Sequence, residues 1–383
     1  MLDQPNHPVS DSIPSEIVDF CSLNQAYLPN ARTDTAFISA MRAVTALHIE
    51  RSPWYRRFAA ARAIDPGSIQ TMDDVLALPP LHANFFKAHE IRSIPLEQVT
   101  LHLTSSGTSG QKSQIFFDAF TIEHARAMVD AAMLARDVVS KEPAHYLVNA
   151  YEPYEGFRVG TSNTNQYLMN FAPVADQFWT LRRVGSSHEF DCFGAIRALS
   201  AWAQSDTPVR IIGFPAFLHF ILQRMRAITH PDLQLSEGSR VIFGGGWKGY
   251  ADQAIDKAEL HRDIGAQLGI KSRDIVETYG AVEHSIPYVD CPKHHLHQPT
   301  WSRVVVRDVR TLEPVADGTP GFLSFISPYI TSAPAHSVVM GDLGIRHQPD
   351  ANDVCPTPWF EILGRAGLSR NKSCAAAAAE LLK

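Results

Sequence analysis

Apolar residues recur every three to four positions from the N-terminus to about residue 95, and then the pattern changes. The helical period predicts helices over 12–23, 33–50 and 54–63, with a short capped helix over 68–76 closed by Leu78-Pro79-Pro80. From about residue 97, short runs rich in Val, Ile and Tyr predict strands at 144–150, 209–213, 240–243 and 274–279. Helical stretches lie around and between them at 120–139, 193–204, 216–228 and 251–268. Such alternation predicts parallel βαβ units. From about 296 to 347 the pattern becomes that of antiparallel hairpins, with runs at 304–308 and 321–326 flanking the turn residues Asp317-Gly318-Thr319-Pro320. The chain therefore reads as one α/β body followed by a short tail. Ligands of open parallel sheets collect in the loops at strand C-termini, which directs attention there.

Composition narrows the picture. An apolar share of 45% with 19% charged residues describes a globular protein, and a formal charge of −6 without a basic stripe argues against a general nucleic-acid binder. No apolar run approaches membrane-spanning length, and the first residues lack the basic-then-apolar layout of a signal peptide. Five scattered cysteines suit reduced thiols, so the expected location is cytoplasmic.

Four loops carry candidate chemistry. Thr104-Ser105-Ser106-Gly107-Thr108-Ser109-Gly110-Gln111-Lys112-Ser113 joins six hydroxyls, two glycines and a lysine, a composition able to wrap a polyphosphate. Its spacing differs from G-x-x-x-x-G-K-[ST], because Gln111 separates Gly110 from Lys112. Gly244-Gly245-Gly246 follows a strand and leads to Lys248, permitting close approach of a flat ring beside a cation. Tyr279-Gly280-Ala281-Val282-Glu283 offers an aromatic face for adenine and a carboxylate suited to Mg²⁺. Met340-Gly341-Asp342-Leu343-Gly344 is expected to form a glycine-flanked turn whose aspartate accepts ribose hydroxyls, followed by Leu363-Gly364-Arg365.

The order of these motifs resembles that of the adenylate-forming superfamily, which activates carboxylic acids as acyl-AMP; the likeness spans about 98 to 370. The resemblance implies the large N-terminal domain of that fold, an α/β body of mixed subdomains with an antiparallel β region. It implies ATP and Mg²⁺ as ligands. Thr104, Ser105, Ser106, Gly107, Thr108, Ser109, Gly110 and Lys112 would hold phosphates, and Gly244, Gly245, Gly246, Tyr279 and Gly280 would meet adenine. Glu283 would hold the metal, Asp342 the ribose, and Arg365 would stand at the domain hinge. Val339 and Met340 depart from the Thr that usually precedes Gly-Asp in the superfamily.

Superfamily members continue well past Gly-Arg into a mobile small domain bearing a catalytic lysine. Here only eighteen residues follow Arg365, so that domain is expected to be absent or reduced to a helical tail. The chain then divides into a helical segment at 1–96, a core at 97–366 and a tail at 367–383. Lys248 is the leading substitute cation, with Lys372 and a partner protein as rivals. In the tail, Cys374 precedes five alanines and Glu-Leu-Leu, a strong helix former, with Arg370 and Lys372 nearby. A helix N-terminus and neighbouring cations favour thiolate, so Cys374 is a candidate nucleophile.

The short architecture, the Gly-Gly-Gly-Trp-Lys loop and the near-terminal cysteine are similar to the LuxE family, the acyl-protein synthetases of bacterial bioluminescence. That resemblance implies an acid–thiol ligase: a fatty acid is activated with ATP, held as a thioester on Cys374, and passed to a partner acyl reductase. Two other readings stay open. One is an acid–CoA ligase of the phenylacetate-CoA ligase type, and the other a non-catalytic nucleotide-binding subunit. Separately, Cys291-Pro292-Lys293-His294-His295-Leu296-His297 offers zinc a thiol and imidazoles: Cys291, one of His294 or His295, and His297, with a fourth ligand from afar.

Overall fold

The computed structural model describes residues 12–104, 114–154, 165–185, 187–353 and 355–366. Fifteen strands are described. The first three are β1 (Leu81–His82), β2 (Leu101–Thr104) and β3 (Gln114–Phe117). Next come β4 (Ala144–Tyr151), β5 (Val174–Val184), β6 (Ser187–Phe190), β7 (Val209–Gly213), β8 (Arg240–Phe243), β9 (Ile275–Tyr279) and β10 (Tyr288–Val289). The last are β11 (Leu296–His297), β12 (Arg303–Arg307), β13 (Gly321–Ile326), β14 (Ser337–His347) and β15 (Trp359–Arg365).

One sheet runs β10-β9-β8-β7-β4-β5-β6. Its five central strands are parallel and its two edge strands antiparallel. Because both faces are covered, the strands read as continuous apolar runs rather than alternating ones. Leu147, Ile211, Val241 and Ile275 face helices Cys192–Trp202, Pro215–Ala227 and Lys257–Leu268, while Val148, Ile212, Ile242 and Val276 join Ala132 and Met133 on the other side. The strand order reverses direction between β4 and β7, so the crevice at that switch opens above the strand C-termini.

The second sheet, β11-β15-β14-β13-β12, is antiparallel, and β1 adds to β14 in parallel. Its apolar face shares one core with the N-terminal helices Ser15–Cys21, Ala31–Arg51 and Pro53–Ala61. The long helix starts at a capping box, Asn30 accepting from the backbone of Arg32 and Thr33 while Thr33 Oγ1 accepts from Asn30. Polar ties cross the same boundary: Trp301 Nε1 donates to Leu23 O at 2.8 Å, and Arg307 donates to Leu76 O and Leu78 O.

Three expectations change. The helix anticipated over 251–268 begins only at Lys257, because Asp256 caps it there and a 3₁₀ segment, Lys248–Gln253, takes the preceding residues. The short N-terminal helix is Met72–Ala77, capped by Thr71. The long strand β5 and its hairpin partner β6 went unread because both ends of β5 are exposed and carry no apolar alternation.

Two predictions follow from this packing. Gly213 ends β7 with φ +114°, and a Cβ there would stand 2.5 Å from Asn149 O. Gly213→Ala should therefore cost about 3 kcal/mol in urea unfolding, since strain and a backbone clash coincide; a loss within error would contradict this packing. His284 and His336 are fully buried, and burial pushes both imidazoles down to about 3 from 6.5. Depressed folded values mean that stability is complete above 6.5 and is lost as pH falls toward 3. From pH 7 to pH 5 each histidine should remove about 2 kcal/mol, measurable as a falling urea midpoint.

Candidate functional site

The proposed ligand loops lie at the C-terminal ends of β8 and β9 and across the facing strands β14 and β15. After Phe243, the chain turns through Gly244, Gly245 (φ +78°) and Gly246 (φ +63°), a path that side chains resist. Gly244 N–H donates to Gly213 O at 3.1 Å, tying this loop to the switch-point strand. Thr278 Oγ1 donates to Phe243 O at 2.9 Å, and a Cβ on Gly244 would come within 3.1 Å of that hydroxyl. The two loops are thus locked together by the backbone of one and the side chain of the other.

Tyr279 closes β9 and bridges the sheets. Its hydroxyl donates to Asp342 Oδ2 at 3.0 Å, and its half-buried ring packs near Phe325 and Phe360. Burial and the negative charge of Asp342 push the Tyr279 phenol well above its ordinary range, so it stays a donor. Glu283 contributes in the same direction, which places its carboxylate in the same field. That residue is only 5% exposed. A carboxylate is the type of group that takes a divalent cation shared with phosphate oxygens.

Asp342 does not sit in a turn. Met340 to Gly344 lies inside β14, and Leu363-Gly364-Arg365 ends β15, with Asp342 directly opposite Arg365 in the antiparallel register. Gly344 serves close strand packing at a register shift: a Cβ there would meet Glu361 O at 2.4 Å. Ala366 N–H then donates to Gly341 O at 2.8 Å, holding the exit of β15 against Asp342. Arg365 itself is exposed.

Gly280 is exposed at the start of the turn after Tyr279. Of the remaining expected residues, Ser105, Ser106, Gly107, Thr108, Ser109, Gly110, Lys112, Lys372 and Cys374 lie outside the described residues. For Thr104 and Lys248 only the backbone is described: Thr104 ends β2, in the hairpin that carries the hydroxyl-rich loop, and Lys248 opens the 3₁₀ segment. Sequence reading missed Thr278, whose hydroxyl couples the loops. It also missed Asn149, fully buried at the end of β4 with neither amide atom partnered. A polar residue at the end of an apolar run was the available signal.

The cysteine–histidine stretch resolves into two groups. Cys291, His295 and His297 each bring one ligand atom within 4.8 Å of the others. His294 is turned away, its Nδ1 2.7 Å from Asp290 Oδ2 and its Nε2 2.9 Å from Ser272 Oγ. Of the two histidine alternatives, the structure therefore gathers His295.

This architecture is that of adenylate-forming ligases. It aligns with a solved open conformation of 2-hydroxyisobutyryl-CoA ligase in complex with 2-HIB-AMP and CoA, with a TM-score of 0.66 and 16% identity, covering 95% of this chain and 75% of that one. The family model described as "Acyl-protein synthetase, LuxE" matches residues 30–383, and the chain belongs to that family. Two relatives are long-chain-fatty-acid–luciferin-component ligases. The one from Aliivibrio fischeri is 25% identical over 343 residues, covering 88% of this chain and 86% of the relative. The one from Vibrio harveyi is 23% identical over 339 residues, covering 86% and 83%. No helix among the described residues is long and apolar enough to cross a membrane.

A double-mutant cycle tests the bridge between the sheets. Tyr279→Phe and Asp342→Ala should each destabilise the protein, with a coupling of about 1 to 2 kcal/mol because a charged acceptor loses its donor. Additive effects would mean that the bond is not made in solution.

Proposed function

We propose that this protein activates a carboxylic acid with ATP and transfers the acyl group to its own Cys374 as a thioester. The observation that carries the reading is the apposition of Tyr279, Asp342 and Arg365 beside the Gly244–Gly246 turn at the strand ends. The acid's carboxylate attacks the α-phosphorus of ATP and pyrophosphate departs, forming acyl-AMP. The Cys374 thiolate then attacks the acyl carbon, forming the thioester while AMP leaves with the carbon–oxygen bond electrons.

The named residues take distinct parts in this reading. Asp342 accepts from the ribose hydroxyls, and Tyr279 keeps the carboxylate in place. Gly244 to Gly246 admit the adenine, and the hydroxyl-rich loop from Thr104 to Lys112 holds the phosphates. Glu283 would hold Mg²⁺, which supplies charge compensation for the departing pyrophosphate. Lys248 supplies a cation beside the glycine turn. A fatty acyl chain would lie near Tyr151, Phe214 and Phe217, aromatic neighbours beside the switch point. The names of the two luciferin-component ligases support a long-chain fatty acid as the substrate, and the thioester would pass to a partner acyl reductase.

Acid-dependent ATP–pyrophosphate exchange and trapping of radiolabelled acyl-enzyme test the proposal together. Cys374→Ser should keep the exchange and abolish the labelled protein, whereas Asp342→Ala should lower exchange kcat/KM about a hundredfold. Full thioester formation with CoA by Cys374→Ser would instead identify an acid–CoA ligase. Absence of exchange across a broad panel of acids, with ATP still bound, would indicate a nucleotide-binding subunit.

A further inference from the structure

We infer that Cys291, His295, His297 and Cys355 form a tetrahedral zinc site that staples the β11 hairpin to the start of β15. The first three already converge, and Cys355 lies in the segment that leads into β15. Cys355 Sγ lies 3.2 Å from Thr357 Oγ1, itself 3.4 Å from His297 Nδ1, and Cys291, His297 and Cys355 line the same cavity of about 380 Å³. All four cysteines among the described residues are free thiols, so neither sulfur is consumed by a disulfide.

The surroundings prepare each ligand. Cys291 sits at the head of a tight turn in which its N–H donates to His295 O at 3.0 Å and its Sγ accepts from Lys293 N–H at 3.4 Å. His294 takes φ +64° to complete the turn, which sends its own ring to Asp290 and presents the next histidine inward. His297 is 1% exposed; its Nδ1 donates to Thr357 O at 2.9 Å, which leaves Nε2 as a buried lone pair without a partner. Asp353 Oδ1 lies 3.3 Å from His295 Nδ1, and that ring is stacked on Trp359 at 3.8 Å. Carbonyl and carboxylate groups behind the imidazoles are the usual outer partners of metal-bound histidine.

Charge and geometry choose the ion. Two thiolates balance one divalent cation, so the filled site is neutral and suits a setting where Cys291 and Cys355 are 7% and 9% exposed. Two sulfurs with two nitrogens favour zinc in tetrahedral coordination. The site lies where β11 meets β15, at the pairs Leu296–Phe360 and His297–Trp359, so the metal would hold the strand that ends at Arg365. This inference does not depend on the acyl-transfer reading.

The test uses the full chain, purified without a metal-chelating tag. Metal analysis should find about one zinc per chain, and X-ray absorption at the zinc edge should give two sulfurs at about 2.3 Å and two nitrogens at about 2.0 Å. Cobalt exchanged into the site should show thiolate charge transfer and the visible bands of a tetrahedral centre. Cys355→Ser should halve that charge transfer per bound cobalt, and His294→Ala should leave it unchanged. Substoichiometric zinc after equilibration with the metal, an oxygen-rich coordination shell, or a Cys355→Ser spectrum identical to that of the parent would each overturn the proposal.

Discussion

A single hydrogen bond joins the two halves of the site. Tyr279 closes a strand of the parallel sheet, Asp342 lies within a strand of the antiparallel sheet, and 3.0 Å separates hydroxyl from carboxylate. Each partner constrains the other. Burial and the charge of the carboxylate keep the phenol protonated, and the phenol donates to one carboxylate oxygen. The parallel sheet contributes the glycine turn after β8, and the antiparallel sheet contributes the acid and the arginine opposite it.

Rigidity on either side makes this meeting reproducible. Thr278 Oγ1 binds the carbonyl that precedes the glycine turn, and the N–H of Gly244 is held by Gly213. On the other side, Asp342 is set by strand register rather than by a turn, with Arg365 as its cross-strand neighbour. Sites built on sheet backbone hold their side chains more narrowly than sites on free loops. Beneath it, Tyr279, Tyr288, Phe325 and Phe360 pack around one another, so the polar bridge rests on an aromatic floor.

Much of this was legible in the chain because buried parallel strands must be apolar on both faces. The strands at 209–213 and 240–243 agree with expectation at both ends, and so does 321–326 in the antiparallel sheet. The order of the motifs was likewise readable, because glycines and hydroxyls after a strand have few packing uses. Long-range register was not. Gly341 and Gly344 have the composition of a turn, and only the pairing with β15 shows that they lie within a strand, where Gly344 makes room for its neighbour. The solvent-facing ends of β5 gave no periodic signal, and the link from Cys355 through Thr357 to His297 spans too much chain to be inferred from spacing.

The backbone bond from Ala366 to Gly341 fixes where the polypeptide leaves the sheet: alongside the carboxylate, at the lip of the crevice. Cys374 follows Arg365 by nine residues, and an extended chain covers at most about 3.5 Å per residue. Its sulfur is therefore leashed within roughly 30 Å of that anchor, whatever path the intervening residues take. Within so small a sphere, the local concentration of a tethered thiol stands in the millimolar range or above, far beyond what a thiol supplied by diffusion at micromolar levels provides.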